Sequence, residues 1–141
     1  MLEKLDAVLV PMLEKFMEAI PGLELAMIST SSGSCLAHLS QKDSQNQISQ
    51  MQGISSISRE DSCVGAMFPF IVEQVSKLCW GECKTMTAFF ENKTLVHVNL
   101  MPLVVSFVGS SDMSTGAITN SDMISRLQKG LEPLRINNPN F

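Results

Sequence analysis

The chain has 141 residues, enough for one domain with a substantial core. Its hydrophobic share is 45% but its charged share only 17%, below the ~25% usual for soluble domains, so much of the surface must be Ser, Thr, Asn, Gln or apolar, and an apolar patch that serves as a partner site is expected. The net charge of −4 comes without any cluster of Lys or Arg, which excludes the basic footprint of a nucleic-acid binder, and no apolar run approaches a membrane span.

The chain opens Met-Leu-Glu-Lys, with no apolar stretch of a signal peptide. Residue 2 is Leu rather than Gly, and no prenylation box ends the sequence, so a lipid anchor is not expected. Cys35, Cys63, Cys79 and Cys83 are then expected to be reduced cytosolic thiols. The ten Met residues suit either core filling or an adaptable interface.

Leu2, Leu5, Val8, Leu9, Met12, Leu13, Phe16, Met17 and Ile20 recur in steps of three and four, the pattern of an amphipathic helix. Pro11 either bends this helix or opens its regular part, and Pro21-Gly22 stops it. Leu23 to Ser31 reads as a strand with Leu23, Leu25 and Met27 on one face. It returns through Ser32-Gly33 into a second strand, Cys35 to Leu39. Residues 40–62 are rich in Gln, Ser, Asn and Asp and read as a polar loop or insertion. Helical spacing resumes over 64–78 with Val64, Met67, Phe68, Ile71, Val75 and Leu78; Pro69 again either kinks or starts the helix.

Two strands follow, Lys84–Glu91 and Thr94–Leu100, joined at Asn92-Lys93. Alternation places Leu95, His97 and Asn99 on one face of the second, and Val96, Val98 and Leu100 on the other. Leu103 to Val108 is apolar on both faces, as a central strand should be. A small-residue loop from Gly109 to Gly116 leads to a helix capped by Thr119 or Ser121, with Met123, Ile124, Leu127, Leu131 and Leu134 as its core face. Gly130 and Pro133 are expected to end it, leaving a polar tail over 136–141. Short connections make the strands antiparallel neighbours. The expected class is therefore α/β (α+β), a single domain over 1–135 in the order α-β-β-α-β-β-β-α, with a five-stranded antiparallel sheet flanked by helices.

Reactive constellations are weak. Cys79 and Cys83 are spaced C-x3-C, not the C-x-x-C of redox sites, and follow a helix rather than preceding one. A zinc site would need Cys35, His38, Cys79, Cys83 and His97 to converge, yet Cys35 and His38 fall on opposite faces of a strand. His38 and His97 alone could serve a Ser–His–acid triad; both read as partly exposed strand residues. There is no nucleophile elbow, and Ser110 to Gly116 lacks the Lys and glycine spacing of a phosphate loop. No catalytic, metal or cofactor residues are assigned.

The stretches Ser76-Lys77-Leu78, Lys84-Thr-Met-Thr-Ala-Phe-Phe90, Leu95-Val-His-Val-Asn99 and Met101-Pro-Leu-Val-Val-Ser-Phe-Val-Gly109, with Thr115-Gly116 after them, resemble the roadblock/LC7 family. Within that family the pattern is most similar to the scaffold subunits of Ragulator. The segment 40–62 and the first helix are longer than the family pattern. The resemblance implies a non-catalytic scaffold that dimerises with another roadblock-fold protein. The third strand of each subunit would pair edge to edge, and the second helices would pack together. On that pattern the interface would comprise Thr85, Met86, Thr87, Ala88, Phe89 and Phe90 of the strand and Met67, Phe70, Ile71 and Gln74 of the helix. The resemblance further implies Rag-type GTPases and MAP kinase pathway proteins as partners, TOR signalling, and a place on the cytosolic face of late endosomes and lysosomes, reached through a lipid-anchored partner. The alternatives are a homodimeric roadblock protein serving dynein or a small GTPase, and a thiol redox protein using Cys79 and Cys83.

Overall fold

Leu103 to Ser110 is buried along most of its length on both faces, and such a strand needs neighbours on both edges and helices above and below. The computed structural model describes residues 2–40, 59–119 and 121–137. Their order is α1 (Leu2–Ala19), β1 (Leu23–Thr30), β2 (Cys35–Ser40), α2 (Arg59–Val75), a 3-10 turn (Ser76–Leu78), β3 (Thr85–Phe89), β4 (Lys93–Leu100), β5 (Leu103–Ser110), a short α3 (Thr115–Thr119) and α4 (Ser121–Asn137). The strands form one antiparallel sheet in the order β2-β1-β5-β4-β3, with β5 at its centre. This is the architecture the sequence led us to expect.

Register sorts the side chains into two layers. Val96 lies opposite Phe107 and Phe107 opposite Ala26, while Val98, Val105 and Ile28 form the next row. These rows meet Leu9, Leu13, Phe16 and Ile20 of α1 and Leu127 and Leu131 of α4, which together make the main core. Phe16 meets Phe107 edge-on, with ring centroids 5.6 Å apart. The other face presents Met27, Ser106 and His97 in one row, and α2 lies across it on β1 and β5. Gly65 permits this close approach, because a Cβ there would come within 3.2 Å of both Met27 Sδ and Ser29 Oγ.

Several local expectations are corrected. Pro11 and Pro69 start neither helix; both lie inside one. α2 begins at Arg59, so residues 59–62 are helical rather than loop, Ser40 belongs to β2, and 41–58 lie outside the described residues. α4 runs through Gly130 and Pro133 to Asn137, so Ile136 and Asn137 are helix, not tail. An internal proline costs about 3 kcal/mol, a penalty that burial of an amphipathic stripe outweighs. β1 is buried on both faces, because it sits between β2 and β5 with helices on either side.

Candidate functional site

β3 is the last strand of the sheet and pairs only with β4 among the described residues. Thr85, Thr87 and Phe89 lie opposite Val98, Val96 and Thr94, and so face the layer of α1 and α4. Met86 and Ala88 lie opposite His97 and Leu95, on the α2 side. The first four residues of the strand are half-buried, whereas Phe89 is 72% exposed and the following Phe90 57%. A bare edge that carries two exposed phenylalanines templates further strand pairing.

The α2 residues fall in the spacing i, i+3, i+4, i+7, on the stripe turned away from the sheet. Met67 and Phe70 are exposed, Ile71 is half-buried and Gln74 is exposed, its Oε1 accepting from Lys77 Nζ at 3.2 Å. Of the residues counted by periodicity into one apolar helical stripe, Phe68 is buried as expected, whereas Met67 and Leu78 are surface residues, and Gly65 joins Phe68 on the inward stripe. The structure thus brings the strand set to one sheet edge and the helix set to one face of α2.

Trp80 went unread in the sequence: it is 85% exposed on the loop between the 3-10 turn and β3, close in sequence to Leu78, which is 50% exposed. A lone Trp beyond the end of the helical spacing and before Gly81 was the available signal. Met67, Phe70, Leu78, Trp80, Phe89 and Phe90 all lie on the stretch of sequence from α2 to the residue after β3; among the described residues the other exposed large apolar side chains are Met101 and Ile136, which lie outside that stretch. Asn99 ties this loop to the sheet: its Nδ2 donates to the Cys83 carbonyl at 2.9 Å, and its backbone N–H donates to the Lys84 carbonyl at 2.8 Å.

His97 corrects an expectation of partial exposure. It is 1% exposed, because α2 closes over it with Phe68, whose ring lies 5.0 Å away. Its Nδ1 is 2.8 Å from Ser106 Oγ, while its buried Nε2 has no hydrogen-bond partner among the described residues. Burial lowers its pKa to about 4, so the imidazole is neutral. His38 stays half-buried on β2.

The cysteines do not converge. Cys35 and His38 are on β2, while Cys79 and Cys83 precede β3 at the opposite edge, roughly 19 Å away across four strand spacings. Among the described residues no three His, Cys, Asp or Glu side chains are placed to hold a metal, and no helix is long and apolar enough to cross a membrane. No disulfide joins the four cysteines; Cys63 and Cys79 are exposed, and Cys35 and Cys83 half-buried.

Comparison with known proteins adds to this geometry. The family described as "Mitogen-activated protein kinase kinase 1 interacting" matches residues 9–134. The chain is 33% identical over 70 residues to the Ragulator complex protein LAMTOR3-B of Xenopus laevis, an alignment covering 46% of this chain and 57% of that one. It spans about half the length of the curated relatives it matches. Among solved structures, the gliding protein MglB of Thermus thermophilus superposes with a TM-score of 0.66 at 12% identity, covering 91% of this chain and 88% of that one. A Roadblock/LC7 domain from Streptomyces avermitilis superposes with a TM-score of 0.62 at 8% identity, covering 87% and 93%. At such identities the likeness is one of fold.

Proposed function

The chain belongs to the mitogen-activated protein kinase kinase 1 interacting family and has the roadblock/LC7 fold, and from that premise we propose that it is a non-catalytic scaffold subunit that pairs through β3 and α2 with a second roadblock-fold protein. The observation that supports this reading is a sheet edge that pairs only with β4 among the described residues and ends in exposed Phe89 and Phe90, together with exposed Met67 and Phe70 on the outer face of α2. A partner strand laid along β3 would satisfy that edge and extend the sheet. A partner helix against Phe70 and Ile71 would cover the stripe that α2 turns outward. The names of the relatives support a Ragulator-like assembly. In it the chain would help hold Rag-type GTPases for TOR signalling and scaffold MAP kinase proteins on late endosomes and lysosomes, held there by a lipid-anchored partner.

The test is retrieval of tagged chain from its own cells beside Phe70→Glu, Phe89→Glu and Phe90→Glu. Wild type is expected to bring down a second small roadblock-fold protein together with Rag-type GTPases, and the charged variants to lose them. Retrieval of the chain alone or only with itself, unchanged by the charges, would sink the edge-strand reading. Cys79→Ser with Cys83→Ser is expected to retrieve the same partners, which separates the scaffold from a thiol enzyme.

A further inference from the structure

α2 is held to the sheet more sparsely than the other long helices. α1 sinks Leu9, Leu13, Phe16 and Ile20 into the core and α4 sinks Leu127 and Leu131, whereas Phe68 is the one large side chain of α2 that is buried among the described residues. Pro69 follows this anchor and removes the backbone N–H that would have bonded back one turn. What α2 covers is also unlike an apolar core. Ser29, Ser106 and His97 are each at most 1% exposed on this face. The cross-sheet row beneath the helix reads His38, Met27, Ser106, His97, Met86.

His97 is the weak point of that row. Its Nδ1 meets Ser106 Oγ at 2.8 Å, but the buried Nε2 has no partner among the described residues. Whichever tautomer the ring takes, one nitrogen stays unmet while α2 is seated, and a second proton adds a charged N–H with nowhere to donate. The side chains against the ring bring no counter-charge: Phe68 comes from α2, Met86 from β3 and Ser106 from β5. Met27 of β1 follows, and His38 of β2 ends the row three strands away, roughly 14 Å by strand spacing. Glu73 of α2 is turned to solvent. Lifting α2 would let water reach both nitrogens, so a charged ring favours the lifted helix.

The chain beyond α2 supplies a pivot. Cys79 and Gly81 both sit at positive φ, 58° and 96°, in the loop that follows the 3-10 turn. Asn99 pins the far end of that loop, at Cys83 and Lys84, to the sheet. Rotation about Cys79 and Gly81 can therefore move α2 without disturbing β3.

We propose that α2 is a hinged lid on the sheet, which lifts locally, with the strands still paired, when His97 takes up a proton. A lifted α2 would withdraw Met67 and Phe70 from a partner, so acid and partner act on the same helix in opposite directions. That consequence rests on the pairing reading above; the lifting itself is a property of the single chain.

Hydrogen exchange followed by mass spectrometry on the full chain tests it. At pH 7.5 peptides within 64–75 are expected to exchange through openings that low urea barely changes, while peptides of β1 and β5 need openings that urea strongly promotes. Between pH 7.5 and 5.5, after correction for the intrinsic exchange rate, the α2 opening should rise about tenfold, because the seated ring is protonated only near pH 4 and a solvated one near 6.5. His97→Gln should remove the rise. The chain has two histidines, so a rise that persists in His38→Gln assigns it to His97 even where the buried variant fails to fold. Phe89→Glu should open as wild type does, so failure of the edge-strand reading and failure of this one are told apart. An α2 that opens only together with the sheet, an opening unchanged by acid, or a rise that His38→Gln abolishes or His97→Gln preserves overturns the proposal.

Discussion

His97 shows how one side chain can couple stability to pH. In the folded chain it takes up a proton only near pH 4, because burial disfavours the charged ring, whereas the unfolded chain does so near 6.5. As pH falls the unfolded state is protonated first, so stability is level above pH 6.5 and declines from there towards 4. Linkage puts the loss between pH 7.5 and 5 at about 2 kcal/mol. Urea unfolding across that range should show this slope, and His97→Phe should flatten it whatever it does to the baseline. The sequence placed His97 on the correct face of β4 but not its depth, since alternation reports direction while burial depends on what α2 lays over the strand. Gly65 is the residue that lets α2 lie there, and Gly65→Leu should cost about 2–3 kcal/mol by overpacking against Met27 and Ser29, read as a lowered urea midpoint. By contrast Lys93→Ala, which removes an exposed pair with Glu24, should cost less than about 1 kcal/mol.

Among elements, the strands were legible and the helix ends were not. Alternating residues in β4 and the doubly apolar run of β5 carry their own period, and short turns between them leave little choice of neighbour. Helix boundaries lack such a signature here. Pro11, Pro69 and Pro133 each sit within a helix that packing holds together against local preference. Arg59 begins α2 inside a tract whose polarity reads as loop. Of the candidate interface, the adjacent aromatics Phe89 and Phe90 could be read as needing cover on an edge strand, while their place in a pairing surface came from the family resemblance. Trp80 could not be read, because it belongs to no periodic element. If β3 pairs with a partner as proposed, Trp80→Ser on the loop that leads into it should shorten partner residence in a dissociation-rate assay without abolishing binding, a smaller effect than that of Phe90→Glu.

Taken whole, the molecule is over its described residues a sheet whose terminal strands, β2 and β3, each pair on one side only, and of the two it is β3 that ends in exposed aromatics. Adding a matched partner should raise its melting temperature in a concentration-dependent way, and the isolated chain should self-associate more than Phe89→Glu does, checked by light scattering. The order of the strands also bears on how the chain is made. β1 sits between β2 and β5, and Ser29 reaches the Val104 carbonyl across 75 residues of sequence. During synthesis the N-terminal helix and hairpin therefore emerge long before the central strand that they flank. Until β5 leaves the ribosome, β1 has an open inner edge and an uncovered apolar face, a surface that chaperones hold. Stalled nascent chains ending before Leu103 should be cleaved readily by protease, while chains that expose β5 and α4 should become resistant in a single step.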